Sequence, residues 1–298
     1  MMQPPEKSFS AYTPDELDFS GLFPASGETP EAFAERLACL EQDLNSLSSD
    51  PFFQELIADS PKVPSALRQE AEDLTWGKFR FRAGWVPAWY SARQTGFLSA
   101  GIQLEADNLL PLVFLHSGFI RKQRRLGYDA AETLAHEMIH AVRIPFPGSV
   151  YEEYFPCQMS RSAFRRNVGN LFRKWYLPLL FFGGLALAPV LASLETGIWY
   201  APLIFPLLIL LREIQIRLRL ARAAANLRNA ELNPLPVLLR LSDSEIFELR
   251  TVRRKKFREW QKNRPAGNSF LENSAGHKIL RFSQGVFTSP AHRRHATG

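Results

Sequence analysis

Three residues of the segment "HEMIH" have the types and spacing to bind and use a metal ion: His136, Glu137 and His140. Residues four apart on a helix lie on one face about one turn apart, so both imidazoles can bind a single zinc through ring nitrogens. Glu137 follows the first histidine directly, and its carboxylate can reach the metal's open position. There it would polarise a water molecule and then pass the proton to a leaving amine. The motif therefore predicts metal-assisted hydrolysis.

A helix must hold this motif, and the flanking residues supply a start and a stop. Asp129 and Glu132 have the spacing of a capping box, and the first helix breaker after them is Pro145. An ordinary amphipathic helix with partly buried histidines is the alternative interpretation. Against it, the next segment, "PGSVYEEYFPCQMS", contains a turn signal followed by two more carboxylates, Glu152 and Glu153. Because catalytic zinc sites keep three protein ligands and one open position, this segment can supply the third ligand.

These two segments together resemble the zincin metallopeptidases, in particular the gluzincin branch, in which a second helix after the H-E-x-x-H helix carries a glutamate ligand. The resemblance implies that His136 and His140 are zinc ligands and that Glu137 is the general base. It also implies a third zinc ligand, which is Glu153, with Glu152 as the alternative. Glu153 is preferred because Glu152 stands three residues after Ser149 and can complete that residue's helix cap. Cys157 and Ser160 also give Glu153's face small residues for close helix packing.

The resemblance also assigns a part to the strand upstream of the metal helix, which in that family edges the cleft and binds the substrate backbone. Residues 111–119, "PLVFLHSGF", suit this part. His116 within them would steady an oxyanion, although a strand histidine is more commonly structural. The resemblance covers residues 76–174 at most. The short connection between "HEMIH" and the glutamates departs from the family, as do apolar spans that follow the motif, so the exact family stays open.

The whole pattern predicts an α+β chain in four parts: an N-terminal arm with helices (1–72), a zincin-like domain with a small sheet (73–174), a transmembrane helical hairpin (175–211) and a basic helical tail (212–298). In the first part, Thr29 can cap a helix with leucines at helical spacing. In the second, "GKFRFRAGWV", "TGFLSAGIQLEA" and "LLPLVFLHSGF" predict strands. In the last, Ser242 and Glu245 are spaced as a capping box.

The longest apolar run, residues 175–211, contains Glu195 as its one charged residue. As a helix it would measure roughly 55 Å, against about 30 Å for a bilayer core, so the run predicts two spans, 176–194 and 198–211. Basic residues stand on both sides of the pair. The positive-inside bias therefore predicts an integral protein of the bacterial inner membrane, with both termini and the metal site cytoplasmic. A buried helical hairpin in a soluble protein is the alternative.

Charge and composition bound the partners. The chain has a net charge of +6 and a sequence pI near 9.4, which suits nucleic acid or an anionic lipid surface. The sequence contains no signature of a nucleic-acid-binding module, so the predicted partners are a protein or peptide substrate and the lipid bilayer, with Zn²⁺ as cofactor and no nucleic acid. The second hypothesis is a catalytically inactive zincin-like membrane adaptor that binds a protein partner or anionic lipid.

Overall fold

The computed structural model describes residues 8–96, 99–106, 110–125, 127–146, 148, 150–172, 176–194 and 197–252. The chain is of the α+β class, as predicted. Within the described ranges the α-helices are α1 Pro14–Phe19, α2 Pro30–Ser46, α3 Pro51–Ile57, α4 Ser65–Phe79, α5 Ala92–Thr95, α6 Ala130–Arg143, α7 Tyr154–Cys157, α8 Ala163–Val168, α9 Tyr176–Ser193, α10 Ile204–Asn229, α11 Pro234–Leu239 and α12 Asp243–Leu249. The strands are β1 Ala88–Tyr90, β2 Gly101–Ala106, β3 Leu110–Leu115, β4 Arg124–Arg125 and β5 Tyr128–Asp129.

The main sheet has the strand order β1-β3-β2, with β1 parallel and β2 antiparallel to β3. Two of the three predicted strand segments are confirmed as β2 and β3. The prediction for residues 77–86 is wrong, because α4 continues to Phe79 and the chain reverses at Arg80, whose φ is 61°. Phe79 and Phe81 are fully buried on the two sides of this reversal, so their alternation with arginines comes from a helix end rather than from a strand.

The helix that carries the metal motif begins as predicted. The side chain of Asp129 accepts hydrogen bonds from the backbone N–H groups of Ala131 and Glu132, which satisfies two donors of the first turn of α6. The reciprocal half of the predicted capping box is wrong. The Glu132 carboxylate accepts a bond from Ser160 Oγ at 3.2 Å and lies 3.5 Å from Arg161 Nε, so it joins α6 to the segment before α8.

The segment after α6 is less helical than predicted. The single turn α7 begins at Tyr154, so Glu152 and Glu153 precede it rather than lying in its first turn, and Glu153 occupies its N-cap position without a capping bond. Ser149, the predicted cap, lies outside the described residues. Other predicted caps are confirmed: Thr29 caps α2, and Ser242 forms a complete capping box at α12.

The apolar run folds as α9 and the first part of α10. In the described part of the chain, α9 is the one helix long and apolar enough to cross a membrane, and most of its side chains are exposed. The second predicted span begins later than expected: residues 198–200 form a turn, a 3₁₀ turn follows at Ala201–Leu203, and α10 then continues far past residue 211. At Gly184, α9 packs closely against the 3₁₀ turn and the start of α10, since an added Cβ would lie 2.5 Å from the Pro202 carbonyl oxygen and 2.9 Å from Pro206 Cδ.

One hydrophobic core joins parts of the chain that the sequence placed in separate segments. It contains Phe23 from the first segment, Leu134 and Met138 from α6, and Leu227 and Leu239 from the last segment. A buried ion pair adds to this connection, since Arg240 Nε lies 2.7 Å from Asp18 Oδ1. The described part of the predicted tail, up to residue 252, therefore packs around α6, the helix that carries His136 and His140. Residues 253–298 of that predicted tail lie outside the described residues.

Candidate metal centre

The two histidines of α6 face the same side, as their spacing requires. His136 Nε2 lies 3.3 Å from His140 Nε2, and the ring centroids are 5.0 Å apart. Burial lowers the pKa of His136 to about 4. Burial, together with the neighbouring His136 and Arg143, lowers the pKa of His140 to about 3. Both imidazoles are therefore neutral at pH 7, the state in which a ring nitrogen can bind a metal.

Glu153, rather than Glu152, lies against this pair. Its Oε2 is 3.6 Å from His136 Nε2, and its Oε1 is 3.5 Å from His140 Nε2. Glu152 is exposed, and its charge acts on Arg143, opposing the burial that lowers the pKa of that guanidinium to about 10. The two neighbouring carboxylates thus have different surroundings after the turn that follows α6: Glu153 faces the histidine pair, and Glu152 is exposed and acts on Arg143.

The three separations fit a zinc ion. Nitrogen and oxygen ligands bind zinc at about 2.0–2.2 Å, and tetrahedral geometry then puts two ligand atoms roughly 3.3–3.6 Å apart. The two histidine nitrogens are 3.3 Å apart, and the two oxygens of Glu153 lie one against each histidine, Oε2 at 3.6 Å from His136 Nε2 and Oε1 at 3.5 Å from His140 Nε2. The three side chains form a triangle in which the two nitrogens are spaced as zinc ligands and the Glu153 carboxylate faces both of them, so one of its oxygens is the candidate third ligand.

Glu137 is placed beside this triangle but is not part of it. Its side chain is buried, and burial followed by the charge of Glu153 raises the pKa of Glu137 to about 8. Gly101, at the start of β2, leaves room for the carboxylate, because an added Cβ there would lie 3.0 Å from Glu137 Oε1 and 2.8 Å from Thr133 Cγ2. A carboxyl with a pKa near neutrality can take up and release a proton during one reaction cycle.

Cys157 is a further potential ligand that the sequence interpretation missed as such. With His136 and Glu153 it forms a group whose candidate ligand atoms all lie within 4.8 Å of one another. Cys157 stands four residues after Glu153, and this spacing could have indicated a second ligand on the same helix face. From the sequence, Cys157 was interpreted only as a small residue for helix packing. Burial raises the pKa of the Cys157 thiol to about 12, so the thiolate that binds metals is disfavoured. We prefer the set with His140, because its ring nitrogen lies 3.3 Å from that of His136, a separation that two zinc ligands have.

A cavity of about 280 Å³ opens beside these residues. Its walls come from the start of β2, from α6 and from the segments around α7 and α8; they include Ser99, Gly101, Tyr128, Thr133 and Arg165. The candidate ligands His136 and Glu153 and the candidate base Glu137 also line it. The cavity is large enough for one or two substrate side chains next to the triangle.

The strand predicted to edge the cleft, β3, does not lie at an edge of the sheet. β3 is the central strand of the sheet and is paired on both sides, whereas β2 is an edge strand and its first residue contacts Glu137. His116 caps the 3₁₀ helix Ser117–Ile120, where its Nδ1 accepts a bond from the Gly118 N–H at 2.8 Å. Burial and the charge of Arg125 lower its pKa. Among the described residues that line the cavity, His116 does not occur.

Comparisons with protein-family models, with curated proteins and with solved structures found no significant match to this chain. Function must therefore be argued from the geometry of the site.

Proposed function

We propose that this chain is a membrane-anchored zinc metalloprotease of the zincin type, with a gluzincin-like arrangement of ligands. The observation that carries the proposal is the histidine pair with nitrogens 3.3 Å apart, faced by the Glu153 carboxylate, whose two oxygens lie 3.5 and 3.6 Å from those nitrogens, with the buried Glu137 carboxyl beside them. This arrangement supplies three ligands, an open position and a proton-transfer group, which are the parts that metal-assisted peptide hydrolysis needs.

In this proposal each protein group has one task. Zinc, when held by the three ligands, supplies a Lewis acid that polarises the scissile carbonyl. The Glu137 carboxylate takes a proton from the attacking water, whose oxygen forms the new bond to the carbonyl carbon. Glu137 then delivers that proton to the departing nitrogen as the peptide bond breaks. Its pKa of about 8 in the metal-free protein shows an environment in which both protonation states are accessible.

The edge strand β2 is the proposed binding site for substrate backbone. The edge of a sheet presents unpaired N–H and C=O groups that an extended peptide can pair with. Gly101, the first residue of β2, lies next to Glu137, so a peptide paired along this edge would pass the triangle. This assignment replaces the predicted role of residues 111–119.

The proposed anchor is a hairpin formed by α9 and the start of α10. The 18 residues of α9 measure about 27 Å, close to the thickness of a bilayer core, and their exposed side chains include Leu179, Phe182 and Leu187. The second leg, residues 198–211, is shorter, and the long side chain of Arg212 can reach the head groups from its end. With basic residues on both sides, the hairpin would leave the metal site on the cytoplasmic face of the bacterial inner membrane.

The experiment compares Glu137→Gln with wild type, both purified in detergent and loaded with zinc. We expect equal zinc content, and cleavage of a peptide library by wild type that is lost in Glu137→Gln. The matched control is Glu152→Gln, which makes the same change at an exposed neighbouring position. If wild type holds zinc but neither cleaves peptides nor differs from Glu137→Gln, the inactive membrane adaptor becomes the better function.

A further inference from the structure

Arg165 contributes a positive charge to the wall of the cavity. It is half-buried on α8, and its guanidinium carbon lies 3.6 Å from the centroid of the Tyr128 ring. One of its terminal nitrogens is 3.1 Å from the position of a Cβ added to Gly127. The guanidinium therefore stacks on the ring of Tyr128 and lies close to the backbone of Gly127, which limits the orientations it can adopt.

Among the residues that the structure describes, the carboxylates around the cavity have other partners than Arg165. In the described part of the chain, no carboxylate forms an ion pair with Arg165. Glu132, the acidic residue on the same wall, is already bonded by Ser160 and lies 3.5 Å from Arg161. Glu153 and Glu137 are used by the proposed zinc site and its chemistry. With zinc bound, two positive charges would offset these two carboxylates, and the positive charge of Arg165 would remain.

We infer that Arg165 is a specificity-determining residue that binds a carboxylate of the substrate close to the scissile bond. This inference rests on the proposed function and names the substrate class of the same site. A guanidinium binds a carboxylate through two parallel N–H···O bonds, and a half-buried site makes that pair stronger than one at the surface. The carboxylate can belong to an acidic side chain or to the substrate's C-terminus, since both present the same group.

The test uses three small peptidyl hydroxamates, because a hydroxamate binds zinc directly and reports on binding without turnover. They differ only in the last residue, which is glutamate amide, glutamine amide or glutamine with a free carboxylate. Binding to the detergent-purified, zinc-loaded full chain is measured by calorimetry. The variant is Arg165→Gln, and the matched control is Arg93→Gln, which removes an exposed arginine of α5 outside the cavity.

We expect one carboxylate compound to bind wild type about tenfold more tightly than the neutral amide. That ratio should fall to about one in Arg165→Gln, persist in Arg93→Gln and be partly kept in Arg165→Lys. Preference for glutamate amide assigns an acidic side chain, and preference for the free acid assigns the C-terminus. Equal zinc-dependent binding of all three compounds, or a ratio unchanged in Arg165→Gln, would overturn the inference while leaving the zinc site intact. If no hydroxamate binds, the proposed zinc site itself fails, and the role of Arg165 fails with it.

Discussion

The choice between Glu153 and Glu152 gives the sharpest prediction, because two adjacent, chemically identical residues are expected to behave differently. Replacing Glu153 by alanine removes one corner of the triangle, since its two oxygens lie 3.5 and 3.6 Å from the histidine nitrogens. Replacing Glu152 removes an exposed carboxylate whose charge acts on Arg143. Both substitutions change the net charge equally, so a difference between them cannot come from charge alone.

The magnitude follows from the number of ligands. Structural zinc sites with four ligands gain about 10–16 kcal/mol, or roughly 2.5–4 kcal/mol for each ligand. Loss of Glu153 should therefore weaken zinc binding by about two to three orders of magnitude. Loss of Glu152 should weaken it by less than about tenfold, because that residue contributes only a distant charge. Zinc affinity is measured by competition with a chromophoric chelator at pH 7, and metal content by elemental analysis of the purified protein.

Several results would refute this reasoning, and each identifies a different fault. Equal losses in the two variants would mean that the carboxylates are not distinguished as the turn before α7 places them. Full zinc affinity in His140→Ala, combined with a large loss in Cys157→Ser, would assign the metal to the other donor set, which consists of His136, Glu153 and Cys157. Circular dichroism of each variant controls for unfolding.

Three further predictions concern the surroundings of the site. Gly101→Ala should lower the cleavage rate at least about tenfold with zinc content retained, because the added Cβ would displace the Glu137 carboxylate. The control is Gly77→Ala, which has open space around the added Cβ and should leave the rate unchanged. Arg143→Met should lower the unfolding free energy in detergent by about 3 kcal/mol or more, because the Arg143 guanidinium donates to the backbone carbonyls of Leu239 and Leu241. A loss below about 1 kcal/mol would contradict this role. The zinc-free protein should lose thermal stability below pH 6.5, because the folded pKa values of the two α6 histidines, about 4 and about 3, lie below their unfolded value. Between pH 6.5 and 8 the protein should again lose stability as the pH rises, because the folded pKa of Glu137, about 8, lies above its unfolded value. Glu137→Gln should abolish this second loss.

The local features were predictable because short-range geometry fixes them. The spacing of His136 and His140 places both imidazoles on one helix face wherever that helix packs, and Asp129 caps the helix through bonds to residues two and three positions away. The capping box of α12 and the apolar character of α9 belong to the same class. Each depends on residues within a few turns of one another.

Predictions failed where the same local sequence pattern is compatible with more than one set of tertiary contacts. The aromatic and arginine alternation around Phe79 fits a strand, but burial of Phe79 and Phe81 on the two sides of a helix end satisfies it equally well. Glu132 has the spacing to complete a capping box, yet Ser160 and Arg161 come close enough to bind its carboxylate. In both cases, distant contacts outweigh a local preference of about one kcal/mol.

The sequence by itself determined the chemistry available to this protein: a histidine pair with an adjacent glutamate on one helix, two carboxylates soon afterwards, and an apolar run flanked by basic residues. Only the tertiary structure decided which carboxylate meets the histidines, that β2 rather than β3 lies at the edge beside Glu137, and that Arg165 lines the cavity. The physical reason is that side-chain types and helical periodicity act over a few residues. The direction of a side chain after a chain reversal depends instead on how the whole core packs.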